Sequence, residues 1–409
     1  MSGRTLIPGS DFREFLRTAV QQGEGLSGIP AFLHLSPGRL TVKGISKIMI
    51  AVILGTALVA AGGLAAAASP NGTGDSPAMG IHRTQGQAQV DNITIFYETF
   101  GPADRETVLL IAGAGAQMTM WSDELCEELA GRGYHVVRFD NRDTGLSTRL
   151  DHLGRPDWEE FFTAVSEGRT PPVPYTITDM ANDAVGLLDA LDIKRAHIAG
   201  ASMGGAIAQR IAIHHPERAC SLTLFSSETG NPEMPGPTEE LLTLPPPPPA
   251  GSDIETIVEH EVLVAGVLGS PAYPTDEEVI REYTQSNIER GGYDPIALER
   301  HSAAVMADGD RRELLKRLNL TTVVLHGDAD PLVPVENGYD LAANIPGAEL
   351  TVVPGMGHDI PVQLEPAFAD AITRAATNAT CESNPDQDGT IRWTLPVFPA
   401  GPRLFEVRT

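Results

Sequence analysis

The feature that most restricts the fold of this chain is Gly200-Ala201-Ser202-Met203-Gly204, followed at once by Gly205. An apolar run, residues 196–199, leads into it, and a helical run, residues 207–214, leads out. A strand that becomes a helix within so few residues bends sharply. Glycines around the bend let neighbouring backbone approach where a Cβ would collide. The residue at the bend is pushed into a strained conformation and presents its side chain at the start of the helix. That residue is Ser202, the candidate nucleophile. The next amide, Met203 N–H, is a candidate donor to a negative charge developing on a substrate oxygen.

A serine hydroxyl attacks only when a base removes its proton. The late sequence Gly355-Met356-Gly357-His358 follows the apolar run 350–353. A histidine in a glycine-rich loop beyond a strand can reach the serine, so His358 is the candidate base, against the plainer reading of a surface-loop histidine. The acid that orients it is expected after the preceding strand, residues 322–325, where His326-Gly327-Asp328-Ala329-Asp330-Pro331 stands. Asp330 is the preferred acid, Asp328 a loop brace, and Glu228 a substitute further off. A second oxyanion donor is expected from Ala112-Gly113-Ala114-Gly115-Ala116, directly after the strand 107–111, with Ala114 N–H preferred. This loop lacks the lysine of a phosphate-binding loop. The polar stretch Asp140 to Ser147 after the strand 135–139 is expected to brace loops rather than do chemistry.

From about residue 91 short apolar runs alternate with helical stretches, the pattern of a mostly parallel sheet with crossover helices. Predicted strands are 93–99, 107–111, 135–139, 196–199, 222–225, 322–325 and 350–353; predicted helices are 121–130, 180–191, 203–214, 335–343 and 365–376. Residues 227–315 break the rhythm with Pro245 to Pro249, then helical stretches at 253–267, 276–290 and 295–307. They read as a helical cap inserted into a core made of 91–226 and 316–376. The cap is expected to sit over Ser202 and to form an apolar pocket with the loop 118–121. Met118, Trp121 and His301 are the substrate-binding candidates. Tyr273, Tyr283 and Tyr293 are weaker ones, each weighed against an ordinary core or surface place.

Residues 1–47 read as a poorly structured extension and 377–409 as a tail. Residues 48–68 carry no charge, follow Lys43 and Lys47, and end in Ala66-x-Ala68 before Ser69-Pro70, which predicts an export signal. The rival is a retained membrane anchor, since the run is long enough to span a bilayer. Residues 69–90 read as a linker. A formal net charge of −25 disfavours phosphate backbones, so no nucleic-acid partner is expected. The three cysteines, Cys126, Cys220 and Cys381, are far apart and read as unpaired; one disulfide plus a free thiol is the alternative. No zinc spacing or nucleotide fingerprint appears, so no cofactor or metal is expected.

Taken in order, segments 111–115, 140–147, 200–205, 327–334 and 354–358 resemble the α/β-hydrolase superfamily over roughly residues 90–376. Within it the chain is most similar to the aclacinomycin methylesterase group of polyketide-processing serine esterases, on residues 136–148 and 345–358. The resemblance implies an α/β-hydrolase fold with an inserted cap. It implies Ser202, Asp330 and His358 as the triad, and Ala114 and Met203 as oxyanion donors. Ala112 stands where many relatives carry a histidine. The expected activity is hydrolysis of an apolar, small-molecule carboxylic ester by an exported enzyme. The alternatives are a cofactor-free haloperoxidase, a C–C bond hydrolase, or a non-catalytic ligand-binding protein with a broken triad.

Overall fold

The computed structural model describes residues 81–379 and 381. Eight strands form one sheet: β1 Arg83–Val90, β2 Ile93–Phe100, β3 Thr107–Ile111, β4 His135–Phe139, β5 Ala196–Ala201, β6 Ala219–Phe225, β7 Thr321–Gly327 and β8 Glu349–Val353. Their order is β1-β2-β4-β3-β5-β6-β7-β8. β2 pairs antiparallel with both β1 and β4, and every other pair is parallel. Strands β3 to β6 are buried at every position, as their near-continuous apolar sequences require when helices cover both faces.

The helices are α1 Asp123–Gly131, α2 Trp158–Ser166, α3 Ile177–Ala190, α4 Met203–His214, α5 Ile254–Leu268, α6 Glu277–Gly291, α7 Pro295–Asp308, the single turn α8 Arg312–Leu315, α9 Glu336–Asn344 and α10 Glu365–Thr377. Helices α3, α4 and α9 bury their apolar residues on one face of the sheet, and α1 and α10 theirs on the other. Local chemistry sets their starts. Ser122 Oγ accepts Leu125 N–H at 2.9 Å ahead of α1, and Thr176 with Asp179 closes a capping box on α3. Between β6 and β7 the chain leaves the sheet and forms α5 to α8, the helical insertion expected from residues 227–315.

Three expectations are corrected. Residues 83–90, expected within a linker, form β1. Its polar sequence hid it, because an edge strand buries little: only Ala88 and Val90 are buried. Helix α2 was not anticipated. Its aromatic face, Phe161 and Phe162 with Trp158, packs on Ala303 of α7 in a small cluster apart from the sheet. Cys220 and Cys381, expected unpaired, form a disulfide, while Cys126 is a buried free thiol pushed up to about 12 by burial. The pairing joins positions 161 residues apart, so no local spacing announces it. The chain leaving α10 returns to β6 with a Cα–Cα distance of 5.0 Å.

The predicted export segment 48–68, the 1–47 extension and most of the tail lie outside the described residues. Among the described residues, no helix is long and apolar enough to cross a membrane.

Candidate active site

Ser202 stands at the junction of β5 and α4 with φ +54° and ψ −120°, a left-handed conformation that non-glycine residues rarely adopt. The bend depends on its glycines. A Cβ at Gly200 would collide with the carbonyl of Gly204, and one at Gly204 with that of Ile111 on β3. Close approach of three backbone segments therefore holds the serine in place.

His358 lies in the loop after β8, with its side chain 2% exposed. Its Nδ1–H donates to Asp330 Oδ2 at 2.7 Å. The other carboxylate oxygen of Asp330 accepts Leu332 N–H at 3.0 Å and Val333 N–H at 2.8 Å. Three bonds around one buried carboxylate and ring fix the imidazole plane and leave Nε2 free to act as a base. Asp328 is occupied elsewhere, accepting Gly355 N–H at 2.6 Å, and thus ties the acid loop to the histidine loop. Glu228 accepts from Gln209 and Arg311 on its backbone carbonyl, and the charges acting on its buried carboxyl are those of Arg311 and Asp308. The cap also grips the histidine loop: Leu268 O, at the end of α5, accepts His358 N–H at 2.7 Å, and Ser270 Oγ accepts Gly357 N–H at 2.8 Å.

Ser202 and His358 face one small cavity of about 20 Å³, closed by Met120, Phe225, Ile360 and Phe368. Among the described residues no hydrogen bond joins Ser202 Oγ to His358. Such bonds are often long before substrate binds. A wider groove of about 780 Å³ runs alongside, between the cap and the loop after β7. It shares Asp359 and Ile360 with the small cavity. Six carboxylates wall it, and neither space has a lysine or arginine in its wall.

The glycine-rich loop after β3 flanks the serine. Gly113 N–H points to Met120 Sδ at 3.3 Å, Gly115 N–H donates to His301 Nδ1 at 3.0 Å, and Ala116 N–H to Gly113 O at 3.3 Å. Ala114 N–H has no such partner among the described residues. Met203 N–H belongs to the first turn of α4, where the helix offers none. Gly113 and Ala116 line the cavity itself.

The three substrate-binding candidates sit elsewhere. Met118 is fully buried and its N–H donates to Asp140 Oδ1 at 2.8 Å. Trp121 is fully buried between α1 and the sheet, with its ring 5.9 Å from that of Phe225. His301 is fully buried and braces two loops, taking Gly115 N–H on Nδ1 and donating from Nε2 to Arg142 O at 2.9 Å. Burial holds its pKa down at about 4, so the ring is neutral, as this pair of bonds requires. Met120, within the loop 118–121 expected at the pocket, lines the cavity with Phe225, Ile360 and Phe368, and none of these four was singled out from the sequence. A helical turn at 118–120 faces Met118 into the core and Met120 to the cavity.

The loop after β4 ties core to cap. Asp140 accepts Met118 N–H and Leu146 N–H and pairs with Arg290 of α6 at 2.9 Å. Asp143 accepts Arg300 of α7 at 2.8 Å and Tyr175 OH at 2.7 Å. Burial alone would raise the Asp143 carboxyl; these hydrogen bonds hold it below the usual range. The expected bracing role describes this loop.

Comparison with known proteins places the site in context. Residues 106–363 match the family model described as alpha/beta hydrolase fold. The chain is 29% identical to rhodomycin D methylesterase DauP of Streptomyces sp. (strain C5), over 70% of this chain and 97% of that protein. It is 27% identical to a 2-hydroxy-6-oxononadienedioate/2-hydroxy-6-oxononatrienedioate hydrolase of Paraburkholderia xenovorans (strain LB400), over 62% of this chain and 80% of that one. Among solved structures, a hydrolase from Pseudomonas aeruginosa PA01 superposes with a TM-score of 0.52 at 25% identity, covering 73% of this chain and 98% of that one. The methylesterase resemblance read from the sequence is met by the first of these.

Proposed function

The chain belongs to the alpha/beta hydrolase fold family, and from that premise we propose that it cleaves carboxylic esters through an acyl-enzyme on Ser202. The observation that carries this reading is the shared cavity: a left-handed serine faces a histidine whose far nitrogen is held by the buried Asp330. In this mechanism His358 Nε2 takes the Ser202 proton as Oγ attacks the ester carbonyl carbon. The oxyanion forms against Ala114 N–H and Met203 N–H. The alcohol leaves with the proton from His358. A water, deprotonated by the same nitrogen, then releases the acid and restores Ser202.

Asp330 acts throughout by holding the ring and balancing its transient positive charge. The walls of Met120, Phe225, Ile360 and Phe368 suit an apolar group at the reacting bond. A dicarboxylate substrate, as in the name of the dienedioate-hydrolase relative, would meet six carboxylates and no cation in these walls. That disfavours C–C bond hydrolysis of such a dianion here. From residues 48–68 we further infer export across a membrane, with either cleavage after Ala68 or retention of the segment as an anchor.

Ser202→Ala and His358→Ala should each lower ester turnover by about three to six orders of magnitude without loss of folding. The double variant should be hardly worse than either, because the pair acts as a unit. Turnover within tenfold of the parent in Ser202→Ala would refute the mechanism.

A further inference from the structure

A second cavity, of about 40 Å³, lies between the insertion helices and the loop after β3. Gly115 and Gln117 of that loop wall it, while Gly113 and Ala116 wall the Ser202 cavity. The two spaces are therefore neighbours across a few residues of the oxyanion loop. At Gly115 the loop is packed against Leu298, whose Cδ1 would lie 2.9 Å from an added Cβ.

Three side chains in the wall of this second cavity each leave one buried polar atom without a hydrogen-bond partner: Glu261 Oε2, Thr284 Oγ1 and Arg149 Nε, the last on a side chain 31% exposed with Asp151 Oδ1 4.0 Å away. Glu261 is 0% exposed and Thr284 2%. The remaining atoms of the two charged groups are engaged. Glu261 Oε1 lies 3.4 Å from His260 Nδ1, and His260 Nε2 donates to Pro245 O at 3.1 Å. Arg149 Nη2 pairs with Asp294 at 2.6 Å and Nη1 donates to Gly291 O at 3.2 Å. Folded proteins rarely leave one buried polar atom unpaired, and three around one cavity point to an occupant. The space exceeds the roughly 10–15 Å³ that a single water needs.

The mixture of atoms selects the chemistry. Glu261 offers an acceptor, Arg149 a donor, and Thr284 either. An ammonium would leave Arg149 unanswered and meet its charge. A carboxylate or phosphate would face Glu261. A hydroxyl both gives and takes a hydrogen bond, and two adjacent hydroxyls match the set.

We propose that this cavity is the polar end of the substrate site and receives a neutral, hydroxyl-bearing group of the ester. The inference rests on the hydrolase reading above and names the substrate class: esters that are apolar at the reacting bond and hydroxylated a short distance from it. A site built to bond a hydroxyl rejects the analogue lacking it, because its own buried groups are then left unpaired.

The test is calorimetric binding of matched esters to the intact Ser202→Ala chain, which holds them without turnover. One series carries a terminal vicinal diol or its deoxygenated counterpart on the acyl side, the other on the alcohol side. One series should show at least tenfold tighter binding of the diol. Adding Thr284→Val or Glu261→Gln should bring that ratio close to one, with an unchanged melting temperature for the near-isosteric Thr284→Val chain as the check on folding. Equal affinities in both series, or a ratio that survives both substitutions, would mean that the cavity holds ordered water only and would overturn the proposal. Failure of the wild-type chain to hydrolyse any of these esters would count against the hydrolase reading, while the binding ratio would still judge the cavity.

Discussion

His301 shows how a single buried side chain can brace two loops beside a candidate site. It takes Gly115 N–H on Nδ1 and donates from Nε2 to Arg142 O, so it ties the loop after β3, the proposed oxyanion loop, to the loop after β4. A positioned oxyanion donor is worth about 10²–10³ in turnover, and a loosened loop forfeits part of that. We expect His301→Leu to lower kcat by about 10- to 100-fold with KM changed less, and His301→Asn to recover part of the loss through its amide oxygen. Equal kcat in all three chains would show the brace to be idle. The same residue shapes acid stability. Its folded pKa, about 4, lies below the ordinary 6.5. Between those values the unfolded chain binds more protons, so stability rises with pH across the window and is lost as pH falls through it. By the usual conversion this amounts to about 3 kcal/mol at most. Denaturant midpoints from pH 7 to 4 should fall more steeply for the wild type than for His301→Leu.

At the level of elements, much of the architecture was legible. Strands with short, largely apolar sequences inside the sheet, such as β3 and β4, were bounded to the residue, because burial on both faces favours apolar side chains at most positions, with Thr107, His135 and Arg138 as buried polar exceptions. The insertion helices α5, α6 and α7 began within a residue of expectation, each led in by an aspartate: Asp253, Asp276 and Asp294. What failed had a common cause. β1 is an edge strand whose sequence needs little apolar character, and α2 belongs to a satellite cluster rather than the main core. The placing of Ser202 and His358 on one cavity, with Asp330 bonded to His358, was legible from glycine context and chain order. The pocket was not: Met118 and Trp121 have the right composition, yet the helical turn at 118–120 and the bend after it send both into the core and only Met120 to the cavity. Which face a short turn shows to a cavity is decided by tertiary packing, not by residue type.

At the scale of the whole molecule, the insertion is part of the site's framework. Leu268 and Ser270 hold the His358 loop, Arg290 and Arg300 hold the loop after β4, and His301 holds the loop after β3. The net charge of −25 and a groove walled by carboxylates favour neutral or cationic esters over anionic ones. The export inference belongs to this scale too. Mass spectrometry of the native protein should find a mature N-terminus near Ser69, or a membrane-bound chain that keeps residues 48–68; an intact chain in the cytosolic fraction would refute export. The most direct test of the central claim is covalent capture of the nucleophile. The wild-type chain should be treated with a fluorophosphonate probe and its peptides examined by mass spectrometry. One adduct on the peptide containing Ser202, absent from His358→Ala and formed in step with loss of esterase activity, is the predicted result. An unmodified Ser202 in a chain that hydrolyses esters, or loss of activity through an adduct elsewhere, would contradict it.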